Sequence, residues 1–120
     1  MSIYNTIISR RTIRKFKQID IPIDTLKKLV NAGRLAPSAG NLQPIEYLIV
    51  INNHIKAKIF NTLSWASYLR PEYNPKKEEE PAAYIIVIIN NKIANDAYYK
   101  YDVGASVENI IISALEENIR

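Results

Sequence analysis

The sequence predicts a layered domain in which amphipathic helices cover a small buried β-sheet. Three observations carry this expectation. Two short apolar runs, residues 46–51 and 83–90, are rich in Ile, Val and Tyr, which favour strands. The stretches around them repeat apolar residues at intervals of three and four, as amphipathic helices do. The 120 residues are 48% hydrophobic and 23% charged, enough for one core and a single domain over residues 1–120. Helices and strands of this kind bury their apolar faces against each other in layers.

Each element follows from its residues. Ile3, Ile7 and Ile8 fall at helical spacing and predict a short helix over 2–9. Residues 10–17 are basic, interrupted by Thr12, Ile13 and Phe16, and should be extended or turn-like. Pro22 and Asp24 mark a helix start with Asp24 as N-cap, and Leu26, Leu29, Val30 and Ala32 form its buried face. Gly33 and Pro37 end it. Residues 36–44 are a loop and 52–53 a turn. A helix over 54–63 follows, with Ile55, Ile59 and Leu63 on one side. Residues 64–81 hold three prolines, a block of mixed charge and Trp65, the composition of an irregular surface excursion. Val103, Val107, Ile110, Ile111, Ala114 and Leu115 then define the clearest helix of the chain. Two strands alone make a poor sheet, so part of the layer is expected to be lacking.

Several function classes fall away. There is no cysteine, hence no disulfide, thiolate nucleophile or Cys-based metal site. The longest apolar run, residues 82–89, is far short of the ~20 residues of a membrane span. No basic segment followed by an apolar one opens the chain, so a cytoplasmic protein without a signal peptide is expected. The net charge of +4 is modest and its lysines are scattered, which argues against a nucleic-acid partner. His54 is the only histidine and sits at a helix start beside two asparagines, a surface position. No metal site is expected.

Two constellations could carry chemistry. In Arg10-Arg11-Thr12-Ile13-Arg14, three guanidinium forks and a hydroxyl lie within five residues, a donor set suited to a phosphate. If the stretch is extended, Arg10, Thr12 and Arg14 share a side. On composition alone it reads first as a solvated basic turn, because charge runs usually lie at the surface. In Ala36-Pro37-Ser38-Ala39-Gly40-Asn41-Leu42-Gln43-Pro44, small residues allow close backbone approach to a flat ligand. Asn41 and Gln43 could read the polar edge of a ring system. An ordinary helix-to-strand loop has the same composition.

Taken together, the order and spacing of these motifs resemble the nitroreductase family of flavoproteins. That family has a motif like Arg-Arg-Ser-x-Arg after its first helix and one like Ala-Pro-Ser-x-x-Asn-x-Gln-Pro after its second. The last helix, with Asp102, Gly104, Ala105, Asn109 and Ala114, resembles the family's Asp-x-Gly-x-x-x-x-Asn helix. The resemblance covers essentially the whole chain.

It implies an α+β fold, a three-layer α/β/α sandwich with a mixed β-sheet, incomplete at the C-terminus. It also implies FMN as cofactor and NAD(P)H as reductant. Electrons would pass by a ping-pong mechanism to a small acceptor such as a nitroaromatic or quinone. The protein would be a homodimer with FMN at the interface, acting on small molecules without a nucleic-acid or membrane partner. Arg10, Arg11, Thr12 and Arg14 would hold the FMN phosphate and the polar side of its ring. Pro37, Ser38, Ala39, Asn41 and Gln43 would form the loop that reaches the flavin, in this family usually from the partner subunit. No side chain need be a catalytic acid or base, because the chemistry is the flavin's. Trp65 and Tyr68 fall where the family often has active-site cover, and Tyr98, Tyr99 and Tyr101 suit helix packing or a subunit interface. Family members continue with a Gly-rich turn, further strands and a C-terminal basic residue, so this sequence reads as the N-terminal two-thirds of the fold. The alternative is a flavin-binding carrier, sensor or truncated paralogue without reductase turnover.

Overall fold

The computed structural model describes residues 2–66, 68 and 73–120. Helix α1 spans Ile3–Ser9 and starts at Ser2, whose hydroxyl accepts from the Asn5 amide. Helix α2 spans Ile23–Arg34. Strand β1 is Ile45–Val50, helix α3 Asn53–Phe60, strand β2 Tyr84–Ile89 and helix α4 Tyr99–Glu116.

The helix starts differ from expectation in two places. Asp24 lies inside the first turn of α2 and Pro22 takes the cap position, its fixed φ of −55° leading into the helix. Asn52, expected in a turn, caps α3 by accepting from the Ile55 amide. It thereby satisfies one of the donors that every helix start leaves free.

β1 and β2 pair antiparallel, from Ile45 opposite Ile89 to Val50 opposite Tyr84. This pair is the whole sheet among the described residues, so the sheet seen there is antiparallel and not the mixed one expected. Leu26 and Leu29 of α2 and Ala114 of α4 form the buried centre, with Ile49, Ile85 and Ile110 packed against it. Helices and sheet are thus two adjoining layers. The opposite face of the sheet leaves Leu48 and Ile88 half-exposed.

Burial on the other helices does not simply follow the apolar spacing that predicted them. Ile3, Ile7 and Ile8 are exposed and Thr6 is the buried residue of α1. Ile55 and Leu63 are exposed too, and on α4 Ile111 gives way to Asp102 and Ser106 at the innermost positions.

α4 ends in a tight turn built without glycine. Asn118 adopts φ +57°, the Asn118 amide bonds to the Leu115 carbonyl and the Ile119 amide to that of Ala114. This is the Schellman arrangement with asparagine in glycine's usual place, and it folds Ile119 onto the core. An open, largely apolar groove of about 780 Å³ lies between residues 13–22, α2 and this turn.

Residues 64–81 are irregular where described, with one short 3₁₀ turn at Lys77–Glu79; residues 67 and 69–72 of that stretch lie outside the described residues. The turn is fastened to the basic stretch. The Phe16 amide bonds to the Glu79 carbonyl, Gln18 donates to that of Glu80, and Lys15 lies 3.6 Å from the Glu79 carboxylate. Trp65 is half-buried against Phe16 and Phe60. No helix among the described residues is long and apolar enough to cross a membrane.

Candidate functional site

The loop after α2 is the most sharply shaped segment of the chain. Ser38 is extended, Ala39–Asn41 form a 3₁₀ turn, and Gly40, Asn41 and Gln43 take φ values of +61°, +53° and +52°. Gly40 suits that region because it has no Cβ, asparagine tolerates it, and glutamine sits there under strain. The Ser38 hydroxyl accepts from the Gln43 amide and steadies the turn internally. Pro44, fully buried, closes the loop, and its carbonyl accepts from the Asn90 amide beyond β2.

α4 carries the loop. Asp102, 6% exposed, accepts a hydrogen bond from the Ala39 amide at 3.0 Å. One turn on, the Ser106 hydroxyl meets that of Tyr47 on β1 at 2.5 Å. Further along, the Asn109 amide group donates to the Ala32 carbonyl of α2. Positions 102, 106 and 109 share one helix face. Gly33 lets α2 approach that face: a Cβ there would stand 2.8 Å from Ile110 and 3.1 Å from the Ser106 hydroxyl. Together these residues enclose a polar cavity of about 240 Å³ lined by Arg34, Pro37, Ser38, Gln43, Tyr47 and Asp102, among others.

The basic stretch leaves α1 at Arg10, which caps that helix, and runs without regular structure to α2. The Arg10 Nε lies 3.4 Å from Glu108 of α4, while one terminal nitrogen of Arg11 donates to the Ile8 and Arg10 carbonyls. Arg11 and Thr12 are exposed and Arg14 is half-buried. Two N–H groups of Arg11 at most are engaged in this way, which leaves other donors of its five for an anion. α4 therefore receives both segments: Asp102 and Glu108 are six residues, about 9 Å, apart along its axis. The two groups do not meet in one cavity, however. Arg10, Arg11, Thr12 and Arg14 are absent from the lining of the loop cavity, whereas Pro37, Ser38 and Gln43 belong to it.

Of the remaining candidates, His54 is exposed in the first turn of α3. Tyr98 and Tyr101 are exposed at the start of α4, and Tyr68 is almost fully exposed. No metal-binding group of His, Asp and Glu occurs among the described residues. Behind the basic stretch, the Tyr73 hydroxyl donates to Glu79 at 2.7 Å and the Lys76 amide to the same oxygen. Burial, then the bond and charge of Glu79, push Tyr73 up to about 12. The Tyr73 and Lys76 donors, with Lys15, hold the Glu79 carboxyl below its ordinary range.

Sequence reasoning passed over Arg34, Tyr47, Ser106 and the structural part of Asp102. A signal existed for the last two. Asp102, Ser106 and Asn109 form a polar stripe at helical spacing, and such a stripe needs partners when buried.

Similarity to known proteins agrees with this architecture. The model of the nitroreductase family matches residues 7–119. A protein of Archaeoglobus fulgidus, provisionally named NADH dehydrogenase/NAD(P)H nitroreductase, is 28% identical over 110 residues, 90% of this chain and 58% of that protein. Among solved structures, a protein of Parabacteroides distasonis with the same provisional name superposes with a TM-score of 0.78 at 23% identity, over 96% of this chain and 62% of that one. A nitroreductase-like protein of Desulfovibrio desulfuricans, solved in complex with FMN, gives 0.77 at 20% identity over 95% and 62%. This chain thus spans about three-fifths of the length of these three proteins, and its helices and antiparallel strands follow the nitroreductase fold. The chain belongs to the nitroreductase family.

Proposed function

We propose that this protein is an FMN-dependent oxidoreductase that passes electrons from NAD(P)H to a small acceptor, such as a nitroaromatic or quinone, by a ping-pong mechanism. The observation that carries the reading is the strained loop at Pro37–Gln43, bonded to the same helix that pairs with Arg10. The residues present fit FMN chemically. Arg10, Arg11, Thr12 and Arg14 offer charged forks and a hydroxyl for the phosphate. At Gly40 an added Cβ would meet only Leu42, at 3.7 Å, so the outer side of the loop is open to a flat ring.

When bound, the flavin supplies the hydride and electron chemistry, and the protein supplies binding and orientation. The guanidinium groups neutralise the phosphate and fix one end of the cofactor. Pro37, Ser38 and Ala39 give a close backbone surface for the ring, and Asn41 and Gln43 offer amide groups to its polar edge. The loop cavity and the arginines have separate linings within one chain, which supports a homodimer in which each site combines the arginines of one copy with the loop of another. The exposed Ile3, Ile7 and Ile8 of α1 give such a dimer an apolar surface to cover. The relatives' provisional names favour NAD(P)H as donor, and the chain's composition suits the cytoplasm.

The test is titration of the purified protein with FMN, followed by NADH or NADPH without oxygen. Saturable binding by a dimer in sedimentation, with bleaching of the flavin absorbance, is expected. No uptake of FMN would overturn the reading, and bound flavin that neither nucleotide reduces would leave a carrier or sensor in its place.

A further inference from the structure

We infer that Asp102 is the residue that sets the conformation of the flavin loop, a positioning role that rests on the FMN reading above. A carboxylate buried to this degree is costly unless its oxygens are hydrogen-bonded. Asp102 is 6% exposed, and the partner it has found is the Ala39 amide, at the head of the 3₁₀ turn.

The backbone just beyond that amide is the unusual part of the loop. Gly40, Asn41 and Gln43 all occupy the left-handed region, and glutamine has no intrinsic reason to be there. Strained backbone of this kind persists only where the surroundings over-determine it. Three of the bonds around the turn are internal to it. Asn41 donates to the Ser38 carbonyl, Leu42 to that of Ala39, and Gln43 to the Ser38 hydroxyl. Such bonds move with the loop and cannot fix it against the rest of the protein. Among the described residues three bonds tie it to other elements: the Ala36 amide on the Gly33 carbonyl of α2, Asp102 on the Ala39 amide at the head of the turn, and the Asn90 amide on the Pro44 carbonyl at the trailing end. Only the bond to Asp102 involves a side chain.

The same face of α4 explains why Asp102 is itself well placed. Ser106 grips Tyr47 of β1 and Asn109 grips the Ala32 carbonyl of α2, so the elements on both sides of the loop are held by one rigid helix. Asp102 adds the third grip, on the loop itself. It presents Pro37, Ser38 and Asn41 in a single arrangement before any cofactor arrives, which removes an ordering cost from binding.

The test compares FMN affinity and amide exchange at Ala39 in the wild type, Asp102→Ala, Asp102→Asn and Asn109→Ala. Asp102→Ala should weaken FMN binding about tenfold and speed exchange at Ala39 by a similar factor, the loss of roughly one charge-assisted hydrogen bond. Asp102→Asn keeps an acceptor oxygen and should stay within about threefold of wild type by the same measure. Asn109→Ala releases α2 and not the loop, so it should lower the melting temperature with little change in FMN affinity. If Asp102→Ala does not fold, Ala39→Pro deletes the same bond from the loop side and should weaken FMN binding equally.

Wild-type-like affinity in Asp102→Ala would overturn the inference while leaving the flavin reading intact. So would Asp102→Asn as weak as Asp102→Ala, or Asn109→Ala weakening FMN just as much. A wild-type protein that takes up no FMN would overturn the flavin reading itself, and the inference with it.

Discussion

Gly33 shows how much of this site depends on a single missing atom. It is buried where α2 crosses α4, and the space its Cβ would fill is already taken by Ile110 and the Ser106 hydroxyl. Gly33→Ala should therefore overpack the crossing. Such overpacking costs about 1–3 kcal/mol, and the better helix preference of alanine returns about 1 kcal/mol, so a net loss of up to about 2 kcal/mol is expected in chemical denaturation. Because Ser106 also bonds Tyr47, the same change should loosen the wall of the loop cavity. The sequence marked Gly33 only as a helix end. Nothing in a linear pattern tells a glycine that stops a helix from one that admits a neighbouring helix. Asp102 was quoted within a motif for the same kind of reason: its partner is a main-chain amide 63 residues away, which leaves no trace in spacing.

Among the elements, α2 and α4 were legible from apolar residues at helical spacing, and both strands from short apolar runs rich in Ile, Val and Tyr. Leu26 and Leu29 are buried as their spacing required. α1 and α3 were legible as helices, but among the described residues Ile3, Ile7, Ile8 and Ile55 stay exposed, so periodicity named the helix without fixing what it buries. The turn after α4 leaves no glycine signal in the sequence, because asparagine takes the left-handed position there. That asparagine gives a direct test. Asn118→Ala forces an alanine into the left-handed region and should cost about 1–2 kcal/mol, whereas Asn118→Gly should be neutral or stabilising in thermal denaturation. Equal effects from the two would remove the turn from the forces that seat Ile119 on the core.

For the molecule as a whole, the tie between the Lys77–Glu79 turn and the basic stretch joins parts of the chain more than 60 residues apart. It makes stability depend on pH at both ends. The Glu79 carboxyl is held below its ordinary range by Tyr73, Lys76 and Lys15. Its contribution is present above the unfolded carboxylate value, about 4.3, and is lost as pH falls through the lower folded value. On the alkaline side Tyr73, held up to about 12, keeps its proton in the folded state after the unfolded chain has begun to ionise near 10. Stability should therefore decline again as pH rises from about 10 towards 12. Melting temperatures measured across pH should show both declines, and Glu79→Gln should flatten the acid one. An unchanged acid limb in that variant would assign the effect to other carboxylates. None of this could be read in the sequence, where Tyr73 and the charged block lie in an irregular segment and Lys15 in a distant basic one.

The bond between Asp102 and the loop also bears on how this site can drift through evolution. Its donor belongs to the main chain, so it makes no demand on the side chain at position 39, where any residue with an amide hydrogen serves and only proline is barred. All of the sequence information in the contact is stored on α4. The side chains of the loop are thus free to change their chemistry while its shape is inherited from a residue on another element.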